Sequence, residues 1–239
     1  MKNKGTRLLA APYLIWMGGF IVIPLLLVWY YAFTDKTGAF TLDNLTKIFL
    51  WENYKPLYLA VLLSLCSTLL CFLLAFPLAM VLRNRKVGKG SFVAFIFILP
   101  MWMNSLLRIL AWQTLLERKG VLNEILLALH LPTQSLINTP YAIILGMVYD
   151  FLPFMILPLS IPGIVSGVTM VFVPALTTFA ISNILGGGKI FLIGNVIEQE
   201  FTVNSNWNVG SGLSMILMVF IIASMAILSR YDNGEGAIF

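Results

Sequence analysis

Two ionisable residues, Arg108 and Asp150, stand inside long apolar stretches, "LPMWMNSLLRILAW" and "GMVYDFLPFMILPL". On insertion scales a charge at the centre of a bilayer costs about 2.5–3.5 kcal/mol. Such residues face a bundle interior or a wet cavity. Two readings of Asp150 follow: it faces a translocation path and favours cations, or it is protonated or hydrogen-bonded to a neighbouring helix. Asn104, Arg108 and Trp112 are spaced i, i+4, i+8, which predicts a shared helical face. That face either lines a path or carries an arginine reaching to the interface beside a belt tryptophan. Tyr149 and Trp102 are aromatic walls suited to cation–π contact. The predicted substrate-path residues are therefore Asp150, Tyr149, Trp102, Asn104 and Arg108.

Other chemistry is thinly represented. "GGGK", Gly186–Lys189, lacks the Ser or Thr and the preceding strand that a phosphate-binding loop needs, so it reads as a flexible loop. HExxH, CxxC, GxSxG and a Ser/His/Asp set are missing from the sequence, and the lone histidine, His130, sits beside Pro132. Cys66 and Cys71 are five apart in one apolar run, on different sides of a helix, and read as small packing residues. The expectation is a chain with no catalytic residue, no metal site and no cofactor of its own, and not an enzyme.

The elements that must position these side chains are apolar helices. The 239 residues are 59% hydrophobic and 10% charged, with a mean hydropathy of +0.92. A soluble domain carries about a quarter charged residues, so an all-α membrane protein is predicted. A span needs about 20 apolar residues. Six segments qualify, in one transmembrane domain covering 1–239: 8–32, 57–82, 92–112, 141–158, 162–185 and 210–229. The first resembles a signal peptide in its basic start, but its apolar run is long for one, and a retained span is expected. Prolines recur within or beside the spans (Pro24, Pro77, Pro100, Pro153, Pro162, Pro174), and Gly163 and Gly167 form a small-xxx-small pair suited to close helix packing.

Basic residues set the topology. Lys2, Lys4 and Arg7 precede the first span, Arg83, Arg85, Lys86 and Lys89 follow the second, and Arg230 follows the sixth. Both termini are predicted to be cytoplasmic. The net charge of +5 is read as topology, and no nucleic-acid partner is expected. This orientation brings the fourth and fifth spans together at the cytoplasmic side through "FLPFMILPLSIPGIVSG", which has no charge and almost nothing polar. A connection of about three residues is sterically ordinary between helices.

Several stretches then carry a family likeness: "FTLDNLTKIF", "LPMWMNSLLRILAW", "RKGVLNEILLAL", "GMVYDFLPFMILPL" and "IPGIVSG…VFVPAL…LGGGK…LIGNVI", in that order. Over nearly its whole length the chain resembles the membrane permease subunits of bacterial ABC importers of the spermidine/putrescine type. The resemblance implies a six-helix permease fold in the bacterial cell membrane, paired with a second, homologous permease. It also implies a cytoplasmic ATPase dimer that hydrolyses ATP and an extracytoplasmic binding protein that delivers polyamine.

Two departures from the family pattern stand out. Relatives carry a cytoplasmic loop with an E-A-A…G pattern between spans four and five, which docks on the ATPase. No "EAA" occurs here, and one "LPLS", Leu157–Ser160, serves for two similar stretches that flank that loop in the family. A truncated span 4–span 5 connection is expected, leaving ATPase coupling in doubt. After Pro174–Ala175–Leu176, Thr177 and Thr178 stand where many relatives carry Gly and sometimes an acid. The alternatives to a polyamine permease are a stand-alone secondary transporter or channel, and a non-transporting remnant that pairs with a partner permease.

Overall fold

A computed structural model describes residues 12–84, 99–156 and 161–229. The basic clusters at Lys2–Arg7 and Arg85–Lys89, Arg230, the starts of the first and third spans, and "LPLS" at 157–160 lie outside the described residues. Among those described, the structure is helical apart from an isolated bridge between Thr34 and Phe40.

The helices are α1 (Pro12–Ala32), α2 (Asp43–Thr46), α3 (Trp51–Asn84), α4 (Ser105–Leu116), α5 (Val121–Ala128), α6 (Pro140–Ile156), α7 (Ile161–Thr177), α8 (Ala180–Leu185), α9 (Ile193–Thr202) and α10 (Trp207–Ser229). Three are long and apolar enough to cross a membrane: Pro12–Ala32, Trp51–Leu78 and Trp207–Leu228. Two shorter apolar helices, Pro140–Ile156 and Val165–Thr177, cover the expected fourth span and most of the fifth. The expected third and fifth spans are not continuous helices. The third passes from a 3-10 turn, Leu99–Trp102, into α4 through Met103 and Asn104, and the fifth breaks at Thr178–Phe179 between α7 and α8.

The chain divides into two compact units. The first holds Met1–Trp51 with Ile197–Phe220. Its α1 contains a π-helical turn at Gly18–Val22 and is mostly exposed along its length until Ala32, which is buried. What it does fix is the C-terminal end of α1. Asn44 Nδ2 donates to the carbonyls of Tyr31 (3.4 Å), Ala32 (3.3 Å) and Thr34 (2.8 Å). Asn208 Nδ2 donates to Tyr31 (3.3 Å) and Thr34 (2.6 Å). Carbonyls at a helix C-terminus have no partner within the helix, and two asparagines supply donors for them. Gly212 lets α10 close on this knot, since a Cβ there would meet the Asn44 backbone at 2.6 Å.

The second unit holds Glu52–Val196 with Ile221–Phe239. Along α3, Ala60, Leu63, Ser64, Ser67, Thr68, Cys71 and Ala75 are buried at helical spacing. Hydroxyls in that stripe bond locally, as Thr68 does to the Ser64 carbonyl at 2.7 Å, or across, as Ser67 does to Met147 Sδ at 3.3 Å. The small stripe admits α6, whose Ile143 and Met147 are fully buried. Cys71, as expected, is a packing residue, in a cluster with Ala75, Met155, Ile156 and Val171. On another face of α6, Gly146 lies under Leu185 and Ile181 of α8. Thus α6 is the element around which this unit packs, and α6 carries Asp150.

Candidate functional site

The structure brings Arg108 and Asp150 together. Arg108 Nε on α4 lies 3.5 Å from Asp150 Oδ1 on α6, with side chains 10% and 7% exposed. Arg108 is the fourth residue of α4, and Asp150 is about 15 Å along α6 from Pro140 at 1.5 Å per residue. Asp150 therefore has a charged partner on a neighbouring helix. One turn further along α4, Trp112 meets Tyr149 edge-on, with ring centroids 5.3 Å apart and planes at 70°. An ion pair and an aromatic pair lie side by side between α4 and α6.

Asn104 corrects the expectation of a single face. It does not continue the helical line of Arg108 and Trp112, because it caps α4 from outside: its backbone is at φ −59°, ψ 128°, and its Oδ1 accepts from Leu106 N–H at 2.8 Å. Asparagine is among the best residues for that position, since it satisfies an N–H the helix leaves open. Trp102, 81% exposed, and Met103, 53% exposed, precede the cap. The structure places Asp150, Arg108 and Tyr149 together and sets Trp102 and Asn104 at the break in the span.

The break in the fifth span has its own lock, which sequence reasoning missed. Asn195, 1% exposed at the start of α9, uses all of its hydrogen-bonding capacity. Its Oδ1 accepts from Ser182 Oγ (2.5 Å) and Leu192 N–H (2.9 Å), while its Nδ2 donates to the Phe179 carbonyl (3.1 Å) and Asn183 Oδ1 (2.6 Å). Gly194 packs against the Thr177 and Thr178 carbonyls, where a Cβ would sit 2.8 and 3.3 Å from them. The carbonyls freed by the break are covered by α9, as a buried interruption requires. Asn123 does the same for the α5 loop: Nδ2 donates to Glu117 (3.1 Å) and Gln134 (2.9 Å), and Oδ1 accepts from Gln134 N–H (2.8 Å). A signal was in the sequence, because three buried asparagines lie within the stretches that carry the family likeness: Asn44 in "FTLDNLTKIF", Asn123 in "RKGVLNEILLAL" and Asn195 in "LIGNVI".

The remaining sequence features have structural roles. Gly187 and Gly188 adopt φ +56° and +67°, closing a turn after α8, and a side chain at Gly187 would collide with Asn138. His130, at φ +59°, ends α5, with its N–H bonded to Leu127 and that of Leu131 to Leu126, a left-handed helix stop.

Comparison with known proteins adds to this geometry. The spermidine/putrescine transport system permease protein PotB of Haemophilus influenzae is 31% identical over 279 aligned positions, covering 98% of this chain and 96% of the relative. PotB of Escherichia coli is 33% identical over 250 positions, covering 85% and 89%. The inner membrane ABC transporter permease protein YdcU of Escherichia coli is 26% identical over 280 positions. The crystal structure of a bacterial ABC transporter involved in import of the acidic polysaccharide alginate matches with a TM-score of 0.71 at 17% identity, over 96% of each chain, which establishes a shared fold. No family model matches the chain. An alignment of 279 positions against a chain of 239 residues leaves at least 40 positions of the Haemophilus protein without a counterpart here.

Proposed function

The chain belongs to the PotB family of ABC transporter permeases, and on that premise we propose that it is a membrane-spanning permease subunit of an ABC importer for polyamines. The observation that carries this reading is the 31% identity to a spermidine/putrescine permease along 98% of the chain. The six apolar segments are its six spans, within one permease domain of the bacterial inner membrane, with both termini cytoplasmic. Its partners are a homologous permease, an ATPase dimer, an extracytoplasmic polyamine-binding protein and the surrounding lipid. The exposed apolar side chains of α1 between Tyr13 and Tyr30 support a lipid or permease partner there.

Asp150, Tyr149, Trp102, Asn104 and Arg108 flank the substrate path. Interrupted helices near the midplane are where transporters gather polar groups, and the capped break before α4 fits that pattern. Asp150 supplies the negative charge. Relatives' positions that have no counterpart here are assigned to the docking loop between spans four and five, replaced by Leu157–Ser160. ATP-driven alternation needs a contact that transmits force from the ATPase. This subunit therefore docks its ATPase weakly and depends on the partner permease for coupling.

The test is spermidine and putrescine uptake in cells lacking their own import, with the chain expressed beside its partner subunits. Uptake that requires the chain supports the assignment, and unchanged uptake on its deletion sinks it. In a protein with the loop restored, Asp150→Asn lowers polyamine uptake; unchanged uptake would assign Asp150 to packing.

A further inference from the structure

Asp150 does not stand open in its span, because Arg108 occupies it. The contact is nevertheless not a saturated one. Charge-assisted N–H···O bonds close to about 2.7–2.9 Å, and arginine commonly grips a carboxylate with two of them. Here Nε stays 3.5 Å from Oδ1, and Nε and Nη1 are buried without a hydrogen-bond acceptor. An ion pair that served only to fasten two helices would gain from meeting those donors. The helix carrying Arg108 also starts afresh at the Asn104 cap, so α4 can shift on α6 without dragging a continuous span.

We propose that Arg108 is a built-in counter-cation of Asp150, exchanged for an ammonium group of the substrate, and that this exchange restricts the site to cations carrying two or more charges. The inference rests on the polyamine reading above. Its logic is electrostatic. Asp150 is the single acid within the six apolar segments. A monoamine that displaced Arg108 would neutralise Asp150 no better than before and would leave a buried guanidinium unpaired. A diamine has a second charge to offer, and the Trp112–Tyr149 pair beside the carboxylate is a surface for it. Arg108 thus selects against single charges without touching the second ammonium itself.

The experiment is thermal unfolding of the purified chain in lipid nanodiscs at pH 8, titrated with spermidine, putrescine or n-butylamine. Butylamine has the carbon chain of putrescine and one ammonium fewer. Wild type is stabilised by spermidine and putrescine and not by butylamine. In Arg108→Met, butylamine becomes stabilising and the half-saturating putrescine concentration falls about tenfold, the scale of one displaced competitor. The neutral pair Arg108→Met with Asp150→Leu folds and responds to none of them.

A folded Arg108→Met protein still blind to butylamine overturns the exchange, as does a neutral pair that keeps its spermidine response. Where Arg108→Met fails to fold, the neutral pair decides by the same criterion. Spermidine uptake by the assembled importer separates this from the wider assignment. Uptake together with an unaltered Arg108→Met profile rejects the exchange alone, whereas absence of uptake and of any amine response in all three proteins rejects the polyamine reading with it.

Discussion

Buried asparagines, rather than charges, carry most of the specific polar order of this protein. Asn195 satisfies four groups at once, and removing it would leave the Phe179 carbonyl and Asn183 Oδ1 without that donor and the Leu192 N–H without that acceptor. Each unmet buried group costs about 1–3 kcal/mol. Asn195→Ala is expected to lower stability by about 2 kcal/mol or more, read as a fall in melting temperature in detergent. Exposed Asn204→Ala serves as the control, and equal shifts in the two would refute the lock. A second residue works outside the spans. Asp35 Oδ1 accepts from Thr37 Oγ1 (2.7 Å), Thr37 N–H (2.8 Å) and Ala39 N–H (2.9 Å). The Thr37 hydroxyl bond first, then the backbone bonds, hold its carboxyl below the ordinary value. A depressed folded value means the turn gains from ionised Asp35 above about pH 4 and loses that gain as pH falls through the lower, folded value. Amide exchange at Ala39, after correction for intrinsic rate, should accelerate on acidification below about pH 4, and Asp35→Asn should abolish that dependence.

At the scale of elements, the chain leaves α-helical geometry before α4 and again between α7 and α8. The first break follows from Pro100 and the Asn104 cap, and the second is held by α9 closing over Thr177–Phe179. That closure requires a glycine. A Cβ at Gly194 would press on the Thr177 carbonyl at 2.8 Å, and backbone cannot yield as a side chain can. Gly194→Ala should destabilise by about 1–3 kcal/mol. Gly19→Ala, in the π-helical turn of α1 with nothing within 4 Å, should be neutral. Thermal melts of both proteins check the pair, and a neutral Gly194→Ala would show that α9 does not seat against the break.

At the scale of the molecule, the difference from its relatives is a length of chain. At least 40 positions of the Haemophilus PotB have no counterpart here. Grafting the relative's span 4–span 5 segment in place of Leu157–Ser160 should raise co-purification of the ATPase subunit several-fold over the native chain. Equal recovery of ATPase without the graft would show that docking does not need it.

The family and the helical class were legible in the sequence, and so were the apolar runs that hold α3, α6 and α10, because burial in lipid demands apolar stretches of a length set by the bilayer. The fifth apolar run, 162–185, was legible as a run, but its division into α7 and α8 was not. Pro100 and Pro174 likewise announced trouble in the third and fifth spans, though not where the backbone would break. Asp150 and Arg108 stood out by their burial cost, yet 42 residues apart nothing local pairs them. Only the approach of α4 to α6 in the folded chain makes one the partner of the other. Asn104 shows the same limit in small: its i, i+4 spacing to Arg108 predicts a face only if the helix already includes it, and a proline four residues earlier places it outside as the cap. Asn44, Asn123, Asn195 and Asn208 were visible as letters in apolar surroundings. Their roles depend on carbonyls and amides 3 to 177 residues away, and those distances are closed only by tertiary packing.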